Sequence, residues 1–194
     1  MPAVICDMGN TTIPLPEYLV MDTSLLLGLS PRVAATHRGQ IAQIANAFLK
    51  RVTQAARANN LLLLVPLLVM EECYFKLIQI QYEARFGVGR PQWHDIGYKQ
   101  NPQLIGTFMP MLEQFRTDVL SMPAVITGPD DLIETSAPPP ITLERLMLNN
   151  CRDHSLLPKD AYILAEASRL GIDSLATMDS DWDRADGFTV YRPN

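Results

Sequence analysis

The sequence predicts an α/β fold, with a central, mostly parallel sheet flanked by helices. Three observations predict it. Short apolar runs recur along the chain, at Tyr18–Met21, 61–65, Ala124–Thr127, 174–177 and 189–191. Segments with helical spacing of apolar residues stand between most of them. Apolar residues make up 47% of the 194, enough to build a real core. Strands that alternate with helices favour parallel pairing, because each helix returns the chain to the edge where the next strand begins.

Residues 1–17 hold Gly9, Pro14 and Pro16 without a clear period and read as an irregular arm. Tyr18–Met21 is apolar and ends at Asp22, a short buried strand followed by a polar Asp22-Thr23-Ser24 turn. Residues 38–59 read as an amphipathic helix. Ile41, Ile44, Ala45, Phe48, Leu49, Val52 and Ala56 share one face, and Lys50, Arg51 and Arg57 lie toward the C-terminal end, where cations suit the helix dipole. Residues 61–65 form the next strand. Pro66 breaks it and can open a helix, because its missing N–H is not needed in the first turn. That helix runs past Glu71, Glu72, Phe75 and Ile78 toward Tyr82.

Residues 86–102 are rich in Gly and Pro and read as a loop whose Trp93 and Tyr98 pack it against the domain. A helix over 103–120 follows, kinked or divided by Pro110. The stretch 85–122 is thus an elaboration on one domain spanning 18–194. Residues 137–140, Ala-Pro-Pro-Pro, form a stiff connector. A short helix covers 142–150. A clear one covers 158–170, with Pro158 in its first turn and Gly171 as its stop.

A net charge of −5 means that a nucleic-acid function cannot rest on bulk charge; it needs a local basic patch, or metal ions that offset acidic groups. Cys6, Cys73 and Cys151 are far apart and form no CxxC pair, which argues against a disulfide framework and against structural zinc. A reducing cytoplasm fits this usage. No basic region followed by an apolar core opens the chain, so no signal peptide is expected. The longest apolar run, 61–70, is too short to span a bilayer, and no membrane association is expected. His37, His94 and His154 lack metal-ligand spacing and read as surface or loop residues.

Four acids stand at strand ends or in early helical turns. Asp22 ends the first strand. Glu72 lies six residues after Pro66, Asp160 sits in the first turn of its helix, and Asp179 closes Ala176-Thr177-Met178-Asp179. In parallel sheets ligand sites gather at the carboxyl ends of strands. Carboxylates held together repel one another, so such a cluster implies a cation. Hard oxygen ligands select Mg²⁺ or Mn²⁺ over zinc. Such ions activate water and stabilise the leaving oxygen in phosphodiester hydrolysis. Glu71 and Glu72 point about 100° apart on a helix, and spacing from Pro66 favours Glu72 for the cleft. Asp181 has two readings, a water-mediated metal ligand or a solvated turn residue, and both stay open. Thr177, two residues before Asp179, leans toward supporting the acids rather than merely packing. Thr23 reads more simply as a turn residue.

At this point the chain resembles the PIN-domain ribonucleases. Val20-Met21-Asp22-Thr23-Ser24 is similar to the opening motif of that family. The segment 65–72, a strand, then Pro, then a helix carrying a Glu, is similar to the second. Leu156-Leu157-Pro158-Lys159-Asp160-Ala161, continuing to Gly171, is similar to the third. Leu175-Ala176-Thr177-Met178-Asp179-Ser180-Asp181-Trp182 is similar to the fourth, with Trp182 where Phe is usual. Each motif alone is weak, but four in order are specific, and they span most of the chain. The resemblance implies a Rossmann-like fold and Mg²⁺- or Mn²⁺-dependent cleavage of single-stranded RNA. Asp22, Glu72, Asp160 and Asp179 would be the catalytic metal ligands, with Asp181 beside them. Hydrolysis of this kind leaves a 5′-phosphate. The chain is also similar to the toxin ribonucleases of bacterial toxin–antitoxin pairs, which implies an antitoxin protein as partner and a homodimer. It departs from compact toxins in the added 85–122 segment. The alternative is a non-catalytic PIN-like module that binds RNA or protein, against which the intact acidic motifs argue.

Overall fold

The computed structural model describes residues 2–30, 40–89, 92–128 and 142–193. The strands are β1 (Val4–Asp7), β2 (Tyr18–Met21), β3 (Leu62–Pro66), β4 (Ala124–Thr127), β5 (Ser174–Ala176) and β6 (Thr189–Arg192). The α-helices are α1 (Thr23–Leu26), α2 (Gln40–Arg57), α3 (Leu67–Phe86), α4 (Ile105–Leu120), α5 (Leu143–His154) and α6 (Pro158–Arg169). Together the strands form a single sheet, ordered β1-β6-β5-β2-β3-β4, and every neighbouring pair is parallel. The predicted α/β class with a helix-flanked parallel sheet is therefore what forms.

The central strands are buried, as their unbroken apolar sequences require. Leu19, Val20, Met21, Leu63, Val65, Leu175, Ala176 and Val190 are all essentially inaccessible. From β2 the chain steps outward through β3 to β4. From β5 it steps the other way, to β6. The strand order thus reverses between β2 and β5, the position past whose carboxyl ends open α/β sheets bind their ligands.

Two expectations change. The N-terminal arm is not irregular throughout: Val4–Asp7 pairs with Thr189–Arg192 as an edge strand. Its side chains give no burial pattern, since Val4 and Ile5 are exposed, so only the backbone pairing makes it a strand. Pro110 does not divide its helix. Ile105–Leu120 is continuous around it, introduced by a 3₁₀ turn at Pro102–Leu104. The first residues of the predicted 38–59 helix and the 137–140 connector lie outside the described residues.

The 86–102 segment is more ordered than a loop reading implies. A π-helical run, Trp93–Tyr98, packs on α3. Tyr82, Trp93 and Phe108 form a second small core, bounded by Phe86, Tyr98, Leu104 and Ile105. Trp93 and Tyr98 pack as expected, Trp93 at 6.1 Å and Tyr98 at 6.1 Å from the Tyr82 ring. Helix α3 ends at Gly87, whose φ of 63° is the left-handed geometry that favours glycine at this stop. All three cysteines are free. Among the described residues no helix is long and apolar enough to cross a membrane.

Candidate functional site

Asp22 follows β2 and caps α1, where its side chain accepts from the Ser24 amide. Its own N–H donates to the Ala176 carbonyl at the end of β5 at 2.9 Å, which ties the ends of the two neighbouring strands together. The carboxylate is only 5% exposed. Three donors reach its Oδ2: the Ser24 amide at 3.3 Å, Ser24 Oγ at 2.6 Å and Thr177 Oγ1 at 2.8 Å. Each hydroxyl spends its single proton on Asp22 and accepts from the chain that follows β5. Met178 N donates to Ser24 Oγ at 2.9 Å, and Asp179 N donates to Thr177 Oγ1 at 3.0 Å. Thr177 is fully enclosed, so it positions both Asp22 and Asp179. Burial pushes the Asp22 carboxyl above its ordinary range, and the Ser24 and Thr177 hydrogen bonds partly offset that rise.

Glu72 is half-buried on α3, whose first turns pack on α1. Thr23 Oγ1 donates to Glu72 Oε2 at 3.0 Å, which links the second acid to the Asp22 turn. Glu71 points elsewhere: it is exposed and pairs with Lys159 at 3.6 Å. Asp160 lies in the first turn of α6, behind Pro158, where a carboxylate suits the helix dipole. Helix α6 contacts α3 and so carries Asp160 to the same edge. Asp179 is exposed and caps the 3₁₀ turn Ser180–Arg184, accepting from Asp181 N at 2.9 Å. Asp181 is exposed too, and pairs with Arg184 at 2.9 Å.

Asp160 senses the whole group. Its carboxyl is pushed up to about 6, first by burial and then by the charges of Asp22, Glu72, Asp179 and Asp181. Five acids from four separate segments of chain thus share one field at the carboxyl edge of the sheet. The Cys73 thiol next to Glu72 is driven far above its usual range, by burial first and by Asp22 and Glu72 next. A thiol held protonated is neither a nucleophile nor a metal ligand.

In this arrangement no three His, Cys, Asp or Glu side chains among the described residues stand close enough to hold one ion. The donor chemistry still fits a hard divalent cation. Every candidate ligand is a carboxylate, their mutual field is unfavourable without a positive partner, and no Lys or Arg forms an ion pair with Asp22, Glu72 or Asp160 among the described pairs.

Sequence reasoning passed over Ser24, Cys73 and Glu166. Ser24 lies two residues past Asp22, the spacing of an acid-capped turn, and Cys73 adjoins Glu72. Glu166 interrupts the apolar run Tyr162-Ile163-Leu164-Ala165, which is the one sequence signal that marks it. His154 is the last residue of α5, its Nδ1 lying 3.1 Å from the Arg184 carbonyl; His37 lies outside the described residues. No family model and no curated protein sequence matches this chain. The likeness to PIN-domain ribonucleases therefore rests on the four motifs.

Proposed function

We propose that the chain is a metal-dependent ribonuclease that hydrolyses RNA phosphodiester bonds at the carboxyl edge of the sheet. What carries this reading is the gathering of acids around Asp160, whose carboxyl is raised first by burial and then by Asp22, Glu72, Asp179 and Asp181 from three other segments of chain. Asp22, Glu72, Asp160 and Asp179 would hold Mg²⁺ or Mn²⁺, with Asp181 at the margin. When bound there, the ion supplies acidified water and neutralises charge on the phosphodiester. Asp22 is the fixed member, because three donors lock its Oδ2. Thr23 fixes Glu72 and Thr177 fixes the Asp179 backbone, so the hydroxyls orient the acids in place of neutralising them. An antitoxin-type protein partner and a homodimer belong to the same proposal and rest on the motif resemblance alone.

Incubation of the purified chain with unstructured RNA tests the reading. We expect cleavage with Mg²⁺ or Mn²⁺ that stops with EDTA and leaves 5′-phosphate ends. Full activity after exhaustive chelation would overturn the mechanism. A cation that binds without any cleavage would leave the non-catalytic binding module in its place.

A further inference from the structure

Glu166 is 1% exposed on α6, and its Oε2 has no hydrogen-bond partner among the described residues. Burial alone pushes its carboxyl up to about 7. A buried acid without a partner costs stability and calls for an explanation. The surroundings supply one. Glu166 lines a cavity of about 250 Å³ together with Leu67, Leu68, Glu71 and Tyr162. Among the described residues no cation lines that cavity. Its walls are two leucines and a tyrosine ring, and its polar groups accept hydrogen bonds except for the Tyr162 hydroxyl.

The cavity lies between the first turns of α3 and the middle of α6, beside the candidate site. Glu71 directly precedes Glu72, and the Glu71–Lys159 pair joins the two helices next to Asp160. Asp160 and Glu166 are six positions apart on α6, about 9 Å along the helix axis and about 120° around it, so a base bound in the cavity would belong to a nucleotide adjoining the phosphate held at the acids.

We infer that this cavity is a base-binding pocket in which Glu166 receives the Watson–Crick edge of a guanine next to the scissile phosphate. The inference rests on the ribonuclease reading and names its substrate preference. Two adjacent parallel N–H donors would favour the ionised form of this carboxyl, which accepts from both, and so offset the cost of its burial. Among RNA bases guanine alone presents such a pair, N1–H and the 2-amino group. Adenine and cytosine set a donor beside an acceptor, and uracil flanks one donor with two acceptors. The leucines and Tyr162 offer the ring its apolar contact.

Ligand-observed NMR on the full chain in EDTA, with nucleosides as probes, separates this inference from catalysis. We expect guanosine to bind about tenfold more tightly than inosine, which lacks only the 2-amino group, and than adenosine, cytidine or uridine. Glu166→Gln should remove that preference. Should that variant fold poorly, Leu67→Trp provides the second arm. Leu67 is 52% exposed, so a larger ring there is tolerated by the core and fills the cavity mouth; guanosine affinity should fall with Glu166 intact. Equal binding of all five nucleosides, or none, would overturn the pocket assignment. So would an amidated arginine that binds while guanosine does not, which would make the cavity a socket for a partner's guanidinium. Guanosine binding without metal-dependent cleavage would keep the pocket and discard the nuclease. Cleavage without guanosine binding would do the reverse.

Discussion

Where the insertion meets α3, Tyr82 of that helix is fully buried among Phe86, Trp93, Tyr98 and Phe108, and its hydroxyl donates to the Asn101 carbonyl at 2.8 Å. At the carboxyl edge, Asp22 is nearly as enclosed and has three donors on one oxygen, yet its surroundings are other acids. The aromatic group sits at the ring separations that such pairs favour, and the hydroxyl of its buried Tyr82 is satisfied. The acidic group is hydrogen-bonded and still unfavourable to ionise. The contrast assigns opposite roles to the two regions. The insertion adds cohesion, while the edge spends some of it to keep like charges together for a cation.

The sharpest way to break this comparison is Asp22→Asn. The amide keeps a carbonyl oxygen for Ser24 and Thr177 and removes the charge. We expect cleavage to fall on the order of 10³-fold, since a neutral amide is a poor ligand for the ion that activates water. Without metal the protein should become more stable near neutral pH, by about 1 kcal/mol, and the rise in Tm from Mn²⁺ should shrink. Paired melts with and without Mn²⁺ decide it. A variant that is less stable without metal, yet gains as much from Mn²⁺, would make Asp22 a structural cap.

The opposite change sharpens the other side. Tyr82→Ala empties the centre of the aromatic group and should cost about 3–5 kcal/mol. Hydrogen exchange should show the loss concentrated over Trp93–Tyr98 and Pro102–Leu104. The Tm shift from Mn²⁺ should survive wherever the domain remains folded. If the shift vanished while exchange over β2 and β5 stayed protected, the insertion would be supporting the acids directly.

What the sequence made legible follows the same division. Buried strands such as Leu62–Pro66 and Ser174–Ala176 announce themselves, because burial on both faces demands continuous apolar residues. The edge strand Val4–Asp7 does not, since long-range pairing with Thr189–Arg192 creates it. Trp93–Tyr98 was hidden behind flanking glycines and prolines, and its order comes from Tyr82, a residue on another element. Within the candidate site, the acids were readable from their places after strands and at helix starts. The hydroxyls that orient them were only partly so: Ser24 and Thr177 meet across 153 positions of chain, a proximity no local pattern carries. Glu166 was readable in principle as an acid among apolar neighbours, but its cavity needs Leu67 and Leu68 from a distant helix.

The smallest expected effect is the most diagnostic, because its sign depends on pH. In the folded chain the Asp160 carboxyl is pushed up to about 6 from its ordinary value of 3.8. Between those two values the folded state holds a proton that the unfolded state has lost. Folding stability therefore falls as pH rises through that window, and levels off once Asp160 is ionised in both states. As pH falls below 3.8 both states become protonated and the penalty fades. Asp160→Asn removes the titrating group, so the gap between the variant and the parent should be smallest at pH 4. The variant should then lead by about 1–2 kcal/mol above pH 6.5, a gain kept modest because Asp160 retains some solvent contact. Melting curves in EDTA from pH 4 to 7.5 measure this directly. A gap of constant size across the range would mean that Asp160 acts through its helix-cap contacts, and the shared acidic field would lose its main support. A gap that opens with pH and closes again on addition of Mn²⁺ would tie the electrostatic cost to the cation that relieves it.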